Sequence, residues 1–180
     1  MNEPVLCTVI RISPFAAWVR LEEYPHLEGM IHISEVAGKW VYDIREFVKP
    51  NKQYVCKVIR IEPDNSFVNL SLKRVSEIEA KEKINAFRRE QRAEKILAKA
   101  AEQMKKDMES AYQEVGFLLQ EKFGGLFDAF EEIRSNPKEL EKLEIDEKWK
   151  KVLLTVIKEN IREKETILKA ELQLKSYAAD

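Results

Sequence analysis

The chain has 180 residues, 31 Lys and Arg against 32 Asp and Glu, and 44% hydrophobic residues, for a formal charge of −1. That apolar share is enough for a core, which excludes a fully disordered chain, and the length fits one large domain or two small ones. A secretory leader and a membrane span are not expected: MNEPVLCTV has no basic stretch followed by an apolar one, and apolar runs such as 15–19 are only a few residues long. Cys7 and Cys56 stand apart, with only His26 and His32 to join them, so neither a disulfide scaffold nor a metal site is expected. Two buried thiols in a reducing cytoplasm are the plain reading.

Five of the six prolines lie in residues 1–72. There the apolar residues alternate or form short β-branched runs at 5–12, 15–21, 29–33, 54–61 and 67–72. Turn signals separate them at Pro14, Tyr24-Pro25, Pro50-Asn51 and Pro63-Asp64-Asn65, and the spacing predicts a small closed antiparallel barrel. From Ser76 the period changes. Ile96, Leu97, Ala100, Met104, Met108, Ala111, Tyr112 and Val115 fall on one face of a helix or of two successive helices. Gly116 and Gly124-Gly125 punctuate this half. Ser135-Asn136-Pro137 predicts a stop and restart, with Asn136 as N-cap and Pro137 at the first helical position. Trp149, Val152, Leu153, Val156, Ile157 and Ile161 trace another amphipathic helix, making a bundle of about five. Residues 166–177 alternate apolar with polar and read as a strand without a partner.

The near-neutral total hides segregation. Residues 1–72 carry −1, 73–106 carry +5, 107–147 carry −8 and 148–180 carry +3. The basic stretch (Lys73, Arg74, Lys81, Lys83, Arg88, Arg89, Arg92, Lys95, Lys99) suits phosphates, or is a solvated helix face laced with ion pairs. Five-stranded barrels of this size bind single-stranded or looped RNA on exposed aromatics and basic side chains. Phe15 and Trp18 on the second strand, His32 closing the third and Lys73-Arg74 closing the fifth are candidates, with core packing as the alternative for the two aromatics. Alternation with Val19 and Leu21 inward places Trp18 on the outer face. Trp40, beside Lys39 in a polar connection, either caps the barrel or is offered to a partner.

The runs VIRISPFAAWVRLEEYPHLEGMIHISEV (9–36) and YVCKVIRIEPDNSFVNLSLKRVS (54–76) resemble an S1-type RNA-binding domain, a five-stranded S1/OB-type antiparallel β-barrel. More narrowly, EYPHLEGMIHISEV, the 40–48 segment, SLKRVS and GGLFDAFEEI (124–133) resemble the alpha-subunit family of translation initiation factor 2, closer to its archaeal form. The resemblance covers essentially the whole chain. It implies an S1/OB domain over 1–84, an all-α helical domain over 85–165, and at 166–180 the opening strand of an α/β domain that docks the gamma subunit.

It also implies an RNA-binding role without catalysis or cofactor. The family joins beta and gamma subunits and carries methionylated initiator tRNA to the small ribosomal subunit, with GTP chemistry on gamma. No phosphate-cradling GxxxxGK[ST] loop occurs in this sequence. With the docking domain cut at its entry, tight binding to gamma by this chain alone is not expected.

Carried over by position, the family's S1 aromatics are Phe15 and Trp18 and its strand-three histidine is His32. The usual glycine before the aromatic pair is replaced by Ala16-Ala17. Eukaryotic members carry a phosphorylated serine three after the position of Ser34; here that position is Ala37, which has no hydroxyl, so phosphorylation there is excluded. Ser34 itself is expected to cap a short helix through its side-chain oxygen. The expected RNA contacts are Phe15, Trp18, His32, Lys39, Trp40, Lys49, Lys52, Lys73 and Arg74 on the barrel, and Arg88, Arg89 and Arg92 on the connecting helix. The competing reading is a structural adaptor whose basic helix and acidic bundle bind proteins. An enzyme is disfavoured, because paired carboxylates such as Glu22-Glu23 lack a neighbouring His or nucleophile.

Overall fold

The computed structural model describes residues 2–62 and 67–161. The expected turn at Pro63-Asp64-Asn65 and the expected strand at 166–177 lie outside them. The chain divides into two compact units, Met1–Gln91 and Arg92–Asp180.

In the first unit, β1 (Pro4–Ile12), β2 (Ala16–Leu21), β3 (Glu28–His32), β4 (Gln53–Glu62) and β5 (Phe67–Ser71) close into a barrel in the order β1-β2-β3-β5-β4. The expected strands are present to within one or two residues. Four ladders are antiparallel, but β3 and β5 pair in parallel, from Glu28 opposite Phe67 to Ile31 opposite Leu70. The barrel is therefore not antiparallel throughout. The long connection between β3 and β4 lets the chain return so that β5 runs alongside β3.

Alternation fills the interior with Val5, Cys7, Val9, Ala17, Val19, Leu21, Ile31, Val58, Val68 and Leu70. Gly29 is required by a close approach: a Cβ there would stand 2.6 Å from Leu70 Cδ1 and 3.0 Å from Val19 Cγ2. Register shifts between Val9 and Arg11 and between Val58 and Arg60 add the curvature that closure needs. Cys7 and Cys56 meet inside, Sγ to Sγ 3.4 Å, both free and fully buried.

Helix α1 (Glu77–Gln103) follows β5. Its start is a reciprocal capping box: Ser76 Oγ accepts from Glu79 N at 3.2 Å, and Glu79 Oε2 accepts from Ser76 N at 2.9 Å. Its early turns are tied to the barrel by the pairs Lys57–Glu79 and Lys83–Glu23, each 2.6 Å.

In the second unit the periodicity resolves into two successive helical stretches. The first ends at Gln103, and Lys105 takes φ 55° in the bend that follows. The next is α2 (Met108–Ala111), a π turn over Tyr112–Gly116 and α3 (Phe117–Phe123), which ends on Gly124 at φ 86°. Then come α4 (Leu126–Ser135), the single turn α5 (Lys138–Glu141) and α6 (Glu147–Asn160).

The restart at Pro137 is shifted by one. Asn136 is the C-cap of α4, its N–H donating to Glu132 O at 2.7 Å, and Pro137 rather than Asn136 stands at the cap of α5. The core gathers the predicted face (Ile96, Leu97, Ala100, Ala111, Val115) with Phe130, Ile133, Trp149, Leu153 and Ile157. No helix among the described residues is long and apolar enough to cross a membrane.

Candidate nucleic-acid interface

The connection from β3 to β4 builds the site. A 3-10 turn at Ile33–Glu35 and another at Ile44–Glu46 bracket residues 37–42. Val36 before the loop and Ile44 and Val48 after it are buried in the barrel core, while Asp43 caps the second turn by accepting from Arg45 N at 2.9 Å. Both ends are thus pinned, and the loop's aromatics have no core left to fill. Trp40 is 83% exposed and Tyr42 91%.

Across from them, Phe15 sits at the tip of the β1–β2 turn rather than in β2. Ser13 and Ala16 close that turn with bonds of 2.8 to 3.1 Å, and Phe15 is 69% exposed. Core packing is therefore excluded for it. Phe15, Trp40 and Tyr42 line one cleft of about 770 Å³ together with Pro14, Lys39 and Lys73. Large aromatics held in water at the mouth of a concave surface are what base stacking uses.

The expected contacts divide among several places. Phe15, Lys39, Trp40 and Lys73 come together in the cleft. Trp18 does not line it. It lies half-buried on the outer face of β2 as expected, tilted against Phe67 at 5.1 Å between centroids and with the Arg11 guanidinium 5.1 Å from its ring. Lys49 and Lys52 are exposed on the turn leading into β4, where Lys49 Nζ donates to Arg45 O at 2.7 Å. On α1, Arg88, Arg89 and Arg92 are all exposed, and Arg92 donates to Asn160 O at 2.6 Å. Arg92 is therefore engaged at the carbonyl end of α6, where a cation also offsets the helix dipole.

His32 takes the local role that sequence reasoning gives to Ser34. Its Nδ1 accepts from Ser34 N at 3.3 Å and lies 2.7 Å from Ser34 Oγ, so His32 caps the 3-10 turn and Ser34 does not.

Two residues went unrecognised in the sequence. Tyr42 carried a signal, the Trp-x-Tyr spacing beside Trp40. Glu35 carried none. Its carboxylate takes Lys73 Nζ at 3.0 Å and Arg74 Nε at 3.2 Å. Burial raises the Glu35 pKa, but hydrogen bonds from Ser71, Lys73 and Arg74 and the charge of Lys73 outweigh it, holding the group at about 2 against an ordinary 4.5.

A carboxylate lowered on folding stabilises the protein above its ordinary pKa, and that share is lost as pH falls from 4.5 toward about 2. Over that window the melting curves of the wild type and Glu35→Gln should converge, because only the wild type loses this ion cluster. Melting temperatures that fall in parallel would contradict the assignment.

The sequence profile of the S1 RNA binding domain matches residues 2–73, and that of the eukaryotic translation initiation factor 2 alpha subunit matches residues 111–180. Translation initiation factor 2 subunit alpha of Methanopyrus kandleri is 44% identical over 89% of this chain and 61% of its own length. That of Methanothermobacter thermautotrophicus is 41% identical over 98% of this chain and 68% of its own. The chain thus spans about two thirds or less of the length of these relatives.

Among solved structures, the intact alpha subunit of aIF2 from Pyrococcus abyssi superposes with a TM-score of 0.83 at 38% identity, covering 89% of this chain and 62% of that one. The chain from the a/eIF2alpha-aDim2p-rRNA complex of Pyrococcus horikoshii gives 0.81 at 38%, covering 89% and 96%. With relatives this similar along nearly its whole described length, a closed barrel under the S1 profile and a helical unit under the alpha-subunit profile, the chain belongs to the archaeal-type translation initiation factor 2 alpha subunit family.

Proposed function

We propose that residues 1–84 form an RNA-binding domain that receives unpaired bases in the Phe15, Trp40 and Tyr42 cleft. Residues 85–165 are in this reading the helical domain that follows. In this reading the chain works within an alpha, beta and gamma complex, meeting gamma only through the family's third domain, and assists delivery of methionylated initiator tRNA to the small ribosomal subunit in the cytoplasm, without catalysing a reaction. The exposed aromatic cleft on an S1 barrel is the observation that carries it. The rRNA of the Pyrococcus horikoshii complex supports an RNA partner. Trp18 and the exposed Lys49, Lys52, Arg88 and Arg89 extend the surface beyond the cleft.

Fluorescence anisotropy with labelled initiator tRNA, elongator tRNA and a short single-stranded RNA tests this. Binding that is measurable at roughly 50 mM salt and falls steeply by roughly 200 mM is expected. No RNA binding at the lower salt, together with salt-insensitive capture of a protein partner, would favour the adaptor reading instead.

A further inference from the structure

We propose that Glu35 masks an anion site on the barrel, its carboxylate standing where a phosphate of bound RNA would otherwise sit between Lys73 and Arg74. The inference rests on the RNA reading of the cleft and adds to it a limit on how strongly charge contributes.

Both oxygens of the Glu35 carboxylate are committed, Oε1 to Lys73 Nζ at 3.0 Å and Oε2 to Arg74 Nε at 3.2 Å. Two cations converging on two oxygens is the geometry that Lys and Arg also present to phosphate. The three side chains together carry +1, so the pair offers half the charge that its composition suggests.

The carboxylate is not what holds the turn in place. The Glu35 carbonyl accepts from Leu72 N at 2.9 Å, Lys73 N at 3.1 Å and Ser71 Oγ at 3.5 Å, and His32 caps the same turn. Nor is it what positions the lysine, because Lys73 Nζ also donates to Ser34 O at 2.7 Å. Removing the charge at Glu35 therefore leaves the backbone stitched and Lys73 already placed.

Lys73 also lines the cleft with Phe15, Trp40 and Tyr42, so the phosphate of a nucleotide stacked there arrives at a lysine already shared with Glu35. A polyanion with no bases to stack gains little at such a site. An unpaired RNA gains mainly from its rings, and Glu35 becomes a determinant of selectivity for stacked single strands over bare charge.

The test compares wild type, Glu35→Gln, Lys73→Gln/Arg74→Gln and the triple variant. Each is titrated with a short single-stranded RNA and with inorganic polyphosphate over a range of salt. Each phosphate neutralised on a single strand adds about 0.7 to the slope of log affinity against log salt. Glu35→Gln should bind both probes more tightly, with a slope for the RNA steeper by about 0.7, and should gain proportionally more for polyphosphate. Removing Lys73 and Arg74 should cost more affinity in the Glu35→Gln background than in the wild type.

Equal losses in the two backgrounds, or a folded Glu35→Gln with the wild-type slope, overturn the masking. If Glu35→Gln does not fold, the wild-type background decides: the double variant should lower the slope by about 0.7 or less, whereas a loss of about 1.4 means that both cations were open to RNA. RNA binding absent from wild type and Glu35→Gln alike overturns the RNA reading, and this inference with it.

Discussion

Replacing Trp40 and Tyr42 together with alanine should remove most of the chain's affinity for single-stranded RNA while leaving its melting temperature unchanged. Stacking of a base on an aromatic side chain contributes about 1–3 kcal/mol by alanine substitution. Two rings lost together therefore predict a fall of at least about thirtyfold, since each 1.4 kcal/mol is tenfold. Stability is spared because the two rings are 83% and 91% exposed and their loop is pinned by Val36, Ile44 and Val48, which the substitution does not touch.

Trp18→Ala is the informative contrast. That ring packs on Phe67 and under Arg11, so its loss costs stability as well. Anisotropy titrations paired with thermal melts separate the two. Affinity within about twofold of wild type after the double substitution would remove the cleft from the RNA surface.

Trp149→Ala should be the most damaging single change in the helical unit. Trp149 is among the largest fully buried side chains, and its indole Nε1 donates to Glu114 Oε2 at 2.5 Å. Glu114 also accepts from Lys106, and these two donors, Lys106 first, hold its pKa below the ordinary carboxylate value. Truncating a buried tryptophan costs about 3–5 kcal/mol, a large share of the roughly 5–15 kcal/mol that holds a typical domain folded.

Urea unfolding followed by far-ultraviolet circular dichroism should show the helical transition move to much lower denaturant. Trp149→Phe should lose distinctly less, because it keeps most of the ring volume and gives up the indole N–H. Equal losses for both variants would mean that the hydrogen bond to Glu114, not the packing, dominates.

The elements of both units were legible because their periods are strong: alternation over 5–12 and 54–61, and three- and four-residue spacing from Ile96 onward. What alternation does not encode is which strands become neighbours on closure. The parallel pairing of β3 with β5 follows from how the chain returns after a long connection. Phe15 reads as part of β2 because it is apolar and adjoins an apolar run, while the Ser13 to Ala16 bonds that make it a turn residue are local polar chemistry.

The exchange of capping roles between His32 and Ser34 has the same origin. A serine is the commoner cap, but here the turn starts at Ile33, so His32 holds the N-cap position and its imidazole takes the Ser34 N–H. Lys73 and Arg74 read as open cations from their charge alone. Their carboxylate partner lies far away in sequence and is brought to them by the backbone bonds from Leu72 and Lys73 to Glu35.

The two thiols inside the barrel give the molecule a property unrelated to RNA. Cys7 and Cys56 sit on β1 and β4, sealed from solvent, and the Cys56 thiol is pushed up by its contact with Cys7 and by burial. A thiolate is the reactive form, so neither sulfur meets an alkylating reagent while the strands stay paired. Their rate of modification counts the moments when β1 and β4 part. The barrel thus carries an internal clock of its own opening, readable by thiol modification without any engineered cysteine.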